Sequence, residues 1–184
     1  RIKLLGVGRR YENGVSLNVY PCMIPQTAEI AHVDGVFNAV ITEGDFVGHS
    51  MLVGRGAGER PTASAVVADI ADAAMHRGGP LLTVANKEVK PMPIVSLTER
   101  EGEYYVRFEV KDRPGVVADI SRILGDEQVS IASMLQRCQT SGGVVPLIMT
   151  FHKSKEKAVV SALAKIERLE SVVDKPCMIR IERL

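Results

Sequence analysis

The chain has 184 residues, 46% hydrophobic and 24% charged, with 23 basic against 22 acidic side chains and a formal charge of +1. That is enough apolar material for one large or two small domains, and the balanced charge leaves no net field to gather nucleic acid or an anionic membrane surface. No apolar run approaches the ~20 residues that span a bilayer, so no membrane partner is expected. Cys22, Cys138 and Cys177 are odd in number and widely spaced, which fits neither a disulfide framework nor a C-x-x-C zinc pair. A reducing, cytoplasmic setting is the expectation. The opening Arg1-Ile2-Lys3-Leu4-Leu5 reads like the middle of a strand, and a piece of a longer protein is expected.

Residues 2–53 carry short apolar runs separated by Asn13-Gly14, by Pro21 and Pro25, and by Glu43-Gly44-Asp45. Glycine accepts the positive φ of tight hairpin turns, so an antiparallel meander is predicted, its clearest pair being residues 36–42 against 46–53. After Gly54-Arg55-Gly56-Ala57-Gly58, the Ala-rich run from Pro61 places Val66, Val67, Ile70 and Ala74 at helical spacing. A helix packed on the sheet is expected, ended by Gly78-Gly79-Pro80. Pro91, Pro93 and the charges around Glu99-Arg100-Glu101 suggest a linker over residues 81–103.

Strict alternation follows, with Tyr104, Val106, Phe108 and Val110 on one face and Tyr105, Arg107 and Glu109 on the other. The next helix, residues 115–125, aligns Val116, Val117, Ile120, Ile123 and Leu124. Strands are predicted over 129–136 and 144–151, and a helix over 155–170 with Val159, Ala162, Leu163, Ile166 and Leu169 inward. The last strand, 177–182, alternates Ile179 and Ile181 against Arg180 and Glu182. The order βαββαβ predicts two helices on one face of a four-stranded antiparallel sheet. Pro146 inside the third of these strands argues for an edge position or a bulge.

The stretch Val36-Phe37-Asn38-Ala39-Val40, then Glu43-Gly44-Asp45, then Gly54-Arg55-Gly56-Ala57-Gly58 and Pro61-Thr62-Ala63-Ser64-Ala65, resembles the C-terminal half of the homoserine dehydrogenase catalytic region. Ile2-Lys3-Leu4-Leu5-Gly6 and Val19-Tyr20-Pro21-Cys22-Met23-Ile24-Pro25 are similar to the same family. Further on, Val110-Lys111-Asp112-Arg113-Pro114-Gly115-Val116 resembles the signature of an ACT domain, an amino-acid-sensing module. The resemblance implies an α+β chain. Residues 1–80 would be the C-terminal part of the catalytic and dimerisation region, 81–103 a linker, and 104–184 a ferredoxin-like ACT domain.

It also implies NAD- or NADP-dependent interconversion of L-homoserine and L-aspartate 4-semialdehyde in threonine and methionine biosynthesis, with an amino-acid effector, L-threonine first. A homodimer or higher homo-oligomer is expected. No G-x-G-x-x-G fingerprint follows a strand here, and the family's catalytic residues precede this part, so neither Lys3 nor Lys87 is given a catalytic role. A catalytically inactive amino-acid-sensing module is the competing reading.

Two sites follow. By the resemblance, Gly56, Ala57 and Gly58 lie beside the cofactor, at a glycine-rich loop that opens a helix; a tight strand-to-helix turn without ligand is the other reading. Asp112, Arg113, Pro114, Gly115 and Val116 join a strand to a helix whose first N–H groups could hold an amino-acid carboxylate, with Asp112 accepting from the helix; a plain cap is the alternative. His32, His49, His76 and His152 are scattered, without metal-ligand spacing, and no metal site is expected.

Overall fold

The structure, a computed structural model, describes residues 1–75, 89–136 and 143–183. The chain forms two compact units, one of Arg1–Pro25 with Pro93–Leu184 and one of Gln26–Met92. The first hairpin thus joins the C-terminal unit, so the compact units do not follow the division at residues 81–103 expected above. Residues 81–88 of that expected linker, and Gly78-Gly79-Pro80, lie outside the described residues.

The larger unit is built on one six-stranded sheet. Strands β1 (Ile2–Tyr11) and β2 (Gly14–Met23) pair antiparallel in full register from Ile2↔Met23 to Tyr11↔Gly14. After β5 (Glu101–Lys111) comes helix α2 (Val116–Asp126), then β6 (Ile131–Gln136), β7 (Val144–Lys155), helix α3 (Glu156–Ile166) and β8 (Cys177–Ile181). The strand order is β1-β2-β8-β5-β7-β6. The last four strands are antiparallel to their neighbours, while β2 meets β8 in parallel through Cys22↔Arg180 and Met23↔Ile181.

The alternation in β5 turns Tyr104, Val106, Phe108 and Val110 into the core, where they meet Val145, Leu147, Met149 and Phe151 of β7. Both helices cover this face: Val116, Ile120 and Leu124 of α2, and Val159, Ala162, Leu163 and Ile166 of α3, belong to the same buried cluster. Each fully buried aliphatic side chain contributes roughly 1.5–3 kcal/mol. The βαββαβ arrangement is therefore as predicted, but two details differ. Pro146 lies in β7, which runs between β5 and β6 rather than at an edge; the described β6 ladder ends at Gln136↔Leu147, next to the proline. The predicted last strand, 177–182, ends at Ile181, and its charged half is paired rather than free: Arg180 with Glu156 of α3, and the buried Glu182, just past β8, with Tyr20, Arg100 and Arg9.

Gly14 is needed where β2 begins. A Cβ there would lie 2.3 Å from the Pro93 carbonyl oxygen, which accepts from Val15 N–H at 2.9 Å. Val95 N–H donates back to Val15 O at 2.8 Å, so residues 93–95 are hydrogen-bonded to β2.

In the unit Gln26–Met92, β3 (Phe37–Gly44) and β4 (Gly48–Arg55) form a two-stranded antiparallel sheet, followed by α1 (Glu59–Met75). The predicted meander is thus two hairpins in separate sheets. The expected packing of the Ala-rich helix is also corrected, because α1 has no buried residue among those described. Its apolar side chains have no covering surface among the described residues.

Candidate functional site

The turn from β5 into α2 borders a cavity of about 330 Å³, lined by Val110–Pro114 in sequence, by Val116 and Val117, and by Gln136 of β6. Asp112 N–H donates to Gly143 O at 2.8 Å, which anchors the loop without using its carboxylate. The N-cap of α2 is Gly115 at φ 93°, a left-handed conformation that costs a side-chain-bearing residue about 1–2 kcal/mol. Asp112 was expected to cap this helix. Its carboxylate makes no hydrogen bond to the first turn among the described residues, because the helix starts beyond Gly115 and glycine supplies the cap.

The first intrahelical bond there is Asp119 N–H to Gly115 O, 3.0 Å. The N–H groups ahead of it are the positive end of the helix and suit an anionic ligand group. Lys111 is occupied by Glu170 at 3.3 Å, which leaves the exposed Asp112 and Arg113 as the charged side chains at the mouth. Gln136 adds an amide. A zwitterion of amino-acid size fits this donor and acceptor set.

The glycine loop lies at the start of α1, in the other unit. Gly56 N–H donates to Val36 O at 3.0 Å, and a Cβ at Gly56 would overlap the Asn38 amide at 1.5 Å. Gly58 has φ 120°, and its carbonyl accepts the first helical bond from Thr62 at 3.1 Å. Arg55 lies over the Phe37 ring, 5.7 Å from its centroid. Residues 56–58 are exposed, so the backbone of Ala57 and Gly58 can approach a ligand, whereas the space beside Gly56 is filled by Asn38 of the neighbouring strand. This fits a contribution to the edge of a cofactor site and not a whole one.

His49 is flanked by Glu29 at 3.2 Å and Glu43 at 3.5 Å on the exposed surface. Among the described residues no group of three or more His, Cys, Asp or Glu is placed to hold a metal.

A third feature was missed in the sequence. Glu182, 1% exposed, accepts from Tyr20 Oη at 2.7 Å, from Arg100 Nη2 at 2.8 Å and Nε at 3.2 Å, and pairs with Arg9. Arg100, 3% exposed, also donates to Ile181 O at 3.1 Å and lies over the Tyr104 ring. Arg180 stacks on Tyr20 and donates to Glu156, whose backbone N–H bonds Arg100 O at 2.8 Å.

Burial works against the Glu182 charge, but the Arg100 and Tyr20 hydrogen bonds outweigh it and hold the carboxyl below its ordinary range. Burial and the adjacent Glu182 push the Tyr20 phenol up to about 12. Burial, partly opposed by Arg100, pushes Tyr104 to about 12 as well. No local pattern announces such a cluster. Its one sequence signal was the polar half of the β8 alternation.

Taken together, the ferredoxin-like arrangement and the cavity at its first strand–helix turn define an α+β protein with a unit of ACT type. Known proteins agree. The homoserine dehydrogenase family model matches residues 1–71 and the ACT domain model residues 104–171. Homoserine dehydrogenases of Pseudomonas aeruginosa and Neisseria gonorrhoeae are 39% and 40% identical over all of this chain, which covers 44% of each. A solved homoserine dehydrogenase from Thiobacillus denitrificans superposes with a TM-score of 0.88 at 43% identity, over 100% of this chain and 42% of that one. The chain is thus similar to homoserine dehydrogenases along its whole length, with that family's model on residues 1–71 and an ACT domain after it. It spans less than half the length of the curated relatives it matches.

Proposed function

We propose that this chain is the C-terminal part of an enzyme that interconverts L-homoserine and L-aspartate 4-semialdehyde with NADP or NAD, in the cytoplasm, on the route to threonine and methionine. What supports the reading is similarity along the whole chain to relatives that carry both regions in one polypeptide. When bound, the nicotinamide cofactor supplies or takes the hydride. This chain's residues contribute backbone at Ala57 and Gly58 near the start of α1, with Gly56 keeping the loop close to β3.

Control is assigned to the ACT unit, residues 104–184. An amino-acid carboxylate sits on the N–H groups at the start of α2, and its ammonium faces Asp112. Gln136 is within the same cavity and suits a side-chain hydroxyl, which favours L-threonine. Arg113, Pro114 and Val116 shape the pocket. The complete enzyme acts as a homodimer or larger homo-oligomer.

The test is L-homoserine-dependent reduction of NAD and NADP by the complete protein, with the 184-residue chain beside it. Turnover by the complete protein alone is expected. No turnover with either cofactor would leave the sensor reading, an ACT module without chemistry. In the complete enzyme, Asp112→Ala should raise the L-threonine concentration needed for half-inhibition; an unchanged value would remove Asp112 from the site.

A further inference from the structure

Arg100, Arg180 and Glu182 lie outside both family matches, which cover residues 1–71 and 104–171. Yet they form the charged centre of the C-terminal unit, and they bind together pieces that the two matches assign to different regions. Tyr20 and Arg9, on the hairpin of the dehydrogenase match, reach Glu182 directly. Glu182 N–H in turn donates to Met23 O at 2.9 Å, at the end of the hairpin. On the other side Arg100 immediately precedes β5, the strand whose far end, Val110 and Lys111, forms a wall of the ACT cavity.

β5 is held by ladders on both sides, to β7 with a register shift between Gly102 and Tyr104 and to β8 from Glu103 to Arg107, and Arg100 stands at its start. A hydrogen-bonded strand therefore runs from the cavity wall to the arginine that pairs with Glu182. The expected linker, residues 81–103, is described from residue 89 onward. Residues 93–95 of that segment are moreover bonded to β2, within the same joint.

The cluster also has an unspent donor. Arg100 Nη1 is buried without a hydrogen-bond partner and lies against Gly102, where an added Cβ would come within 2.2 Å of it. A buried donor ordinarily has a partner, so this is the one unsatisfied point of an otherwise paired cluster among the described residues.

We propose that Glu182 is a positioning residue for regulation: through Arg100 on one side and Tyr20 and Arg9 on the other, it couples amino-acid occupancy of the ACT cavity to the dehydrogenase region. This rests on the reading that the complete protein is a dehydrogenase inhibited through its ACT unit.

The experiment uses the complete enzyme with Glu182→Gln and Tyr20→Phe. It measures turnover without effector, half-inhibition by L-threonine, and L-threonine binding by calorimetry. Glu182→Gln should raise the half-inhibitory concentration about tenfold or more, within the usual range of coupling between sites. Uninhibited turnover and L-threonine binding should stay within about threefold, less than the ~5-fold at which such couplings begin. Tyr20→Phe should act in the same direction with a smaller shift.

Inhibition unchanged in the folded variants would overturn the proposal. So would binding lost in step with inhibition, since the cluster would then only support the ACT fold. If Glu182→Gln does not fold, Tyr20→Phe decides by the same criteria, since it removes a single hydroxyl. A wild-type enzyme that no amino acid inhibits would refute the sensor reading before any variant is compared, and this proposal with it.

Discussion

Helix α2 buries Val116, Ile120 and Leu124 in the core shared with β5 and β7, whereas α1 leaves Val66, Val67 and Ile70 exposed at 53%, 64% and 65%. Both segments show apolar residues at helical spacing, and both are helices. The difference lies in what surrounds them. The βαββαβ unit contains the sheet that its helices need, so its core closes within residues 101–181. α1 follows a two-stranded sheet in a chain that spans 44% of its curated relatives. Periodicity determines that a helix forms and which face is apolar. It does not say whether the covering surface belongs to the same segment of chain.

The largest effect in this comparison is expected at the buried charges of the closed unit. Glu182→Leu leaves Arg100 buried without its counter-ion and should cost about 3–5 kcal/mol, read as a shift in the urea midpoint of the C-terminal unit. Adding Arg100→Met should recover more than half of that loss, because an apolar pair removes the uncompensated charge. If the double variant is no more stable than the single, the pairing is not what holds the cluster.

Ile120→Ala, in the core of α2, should cost about 2–5 kcal/mol through the cavity it leaves. A much smaller loss would mean that the helix is less closely packed than its complete burial indicates.

pH should separate the same two regions. Glu182 is held below its ordinary pKa, so its contribution is full above the normal carboxylate range and is lost as pH falls through the depressed folded value. Tyr20 and Tyr104 are raised from 10.0 to about 12, so their contribution is full below 10 and is lost as pH rises toward 12. Unfolding midpoints followed across pH should therefore fall at both extremes for the C-terminal unit. With Glu182→Gln the acid limb should shrink. An acid limb of unchanged size would assign it to other carboxylates.

The smallest effect belongs to α1. Ile70→Ala should change the stability of this 184-residue chain by less than about 0.5 kcal/mol, as an exposed substitution does. The same change in the complete protein should cost more, and calorimetry of both proteins side by side checks it. Equal small costs in both would show that the apolar face of α1 stays uncovered.

Much of the ACT unit was legible in the sequence. Strand alternation placed Tyr104, Val106, Phe108 and Val110 in the core, helical spacing placed Ile120 and Leu124 there, and the turn 112–115 marked the cavity. Each of these signals is carried by residues near one another, since the 2.0 and 3.6 periods act over a few positions. The family resemblance and the glycine loop were likewise contiguous strings.

Only the tertiary structure decided that β2 lies beside β8, that the two N-terminal hairpins enter different sheets, that β7 carries Pro146 between two neighbours, and that Glu182 turns inward. Tyr20 and Glu182 are 162 positions apart, and Arg100 and Glu182 are 82 apart. A buried charge is tolerated only where partners from distant segments converge on it, and nothing in the residues adjacent to Glu182 encodes where those segments will be.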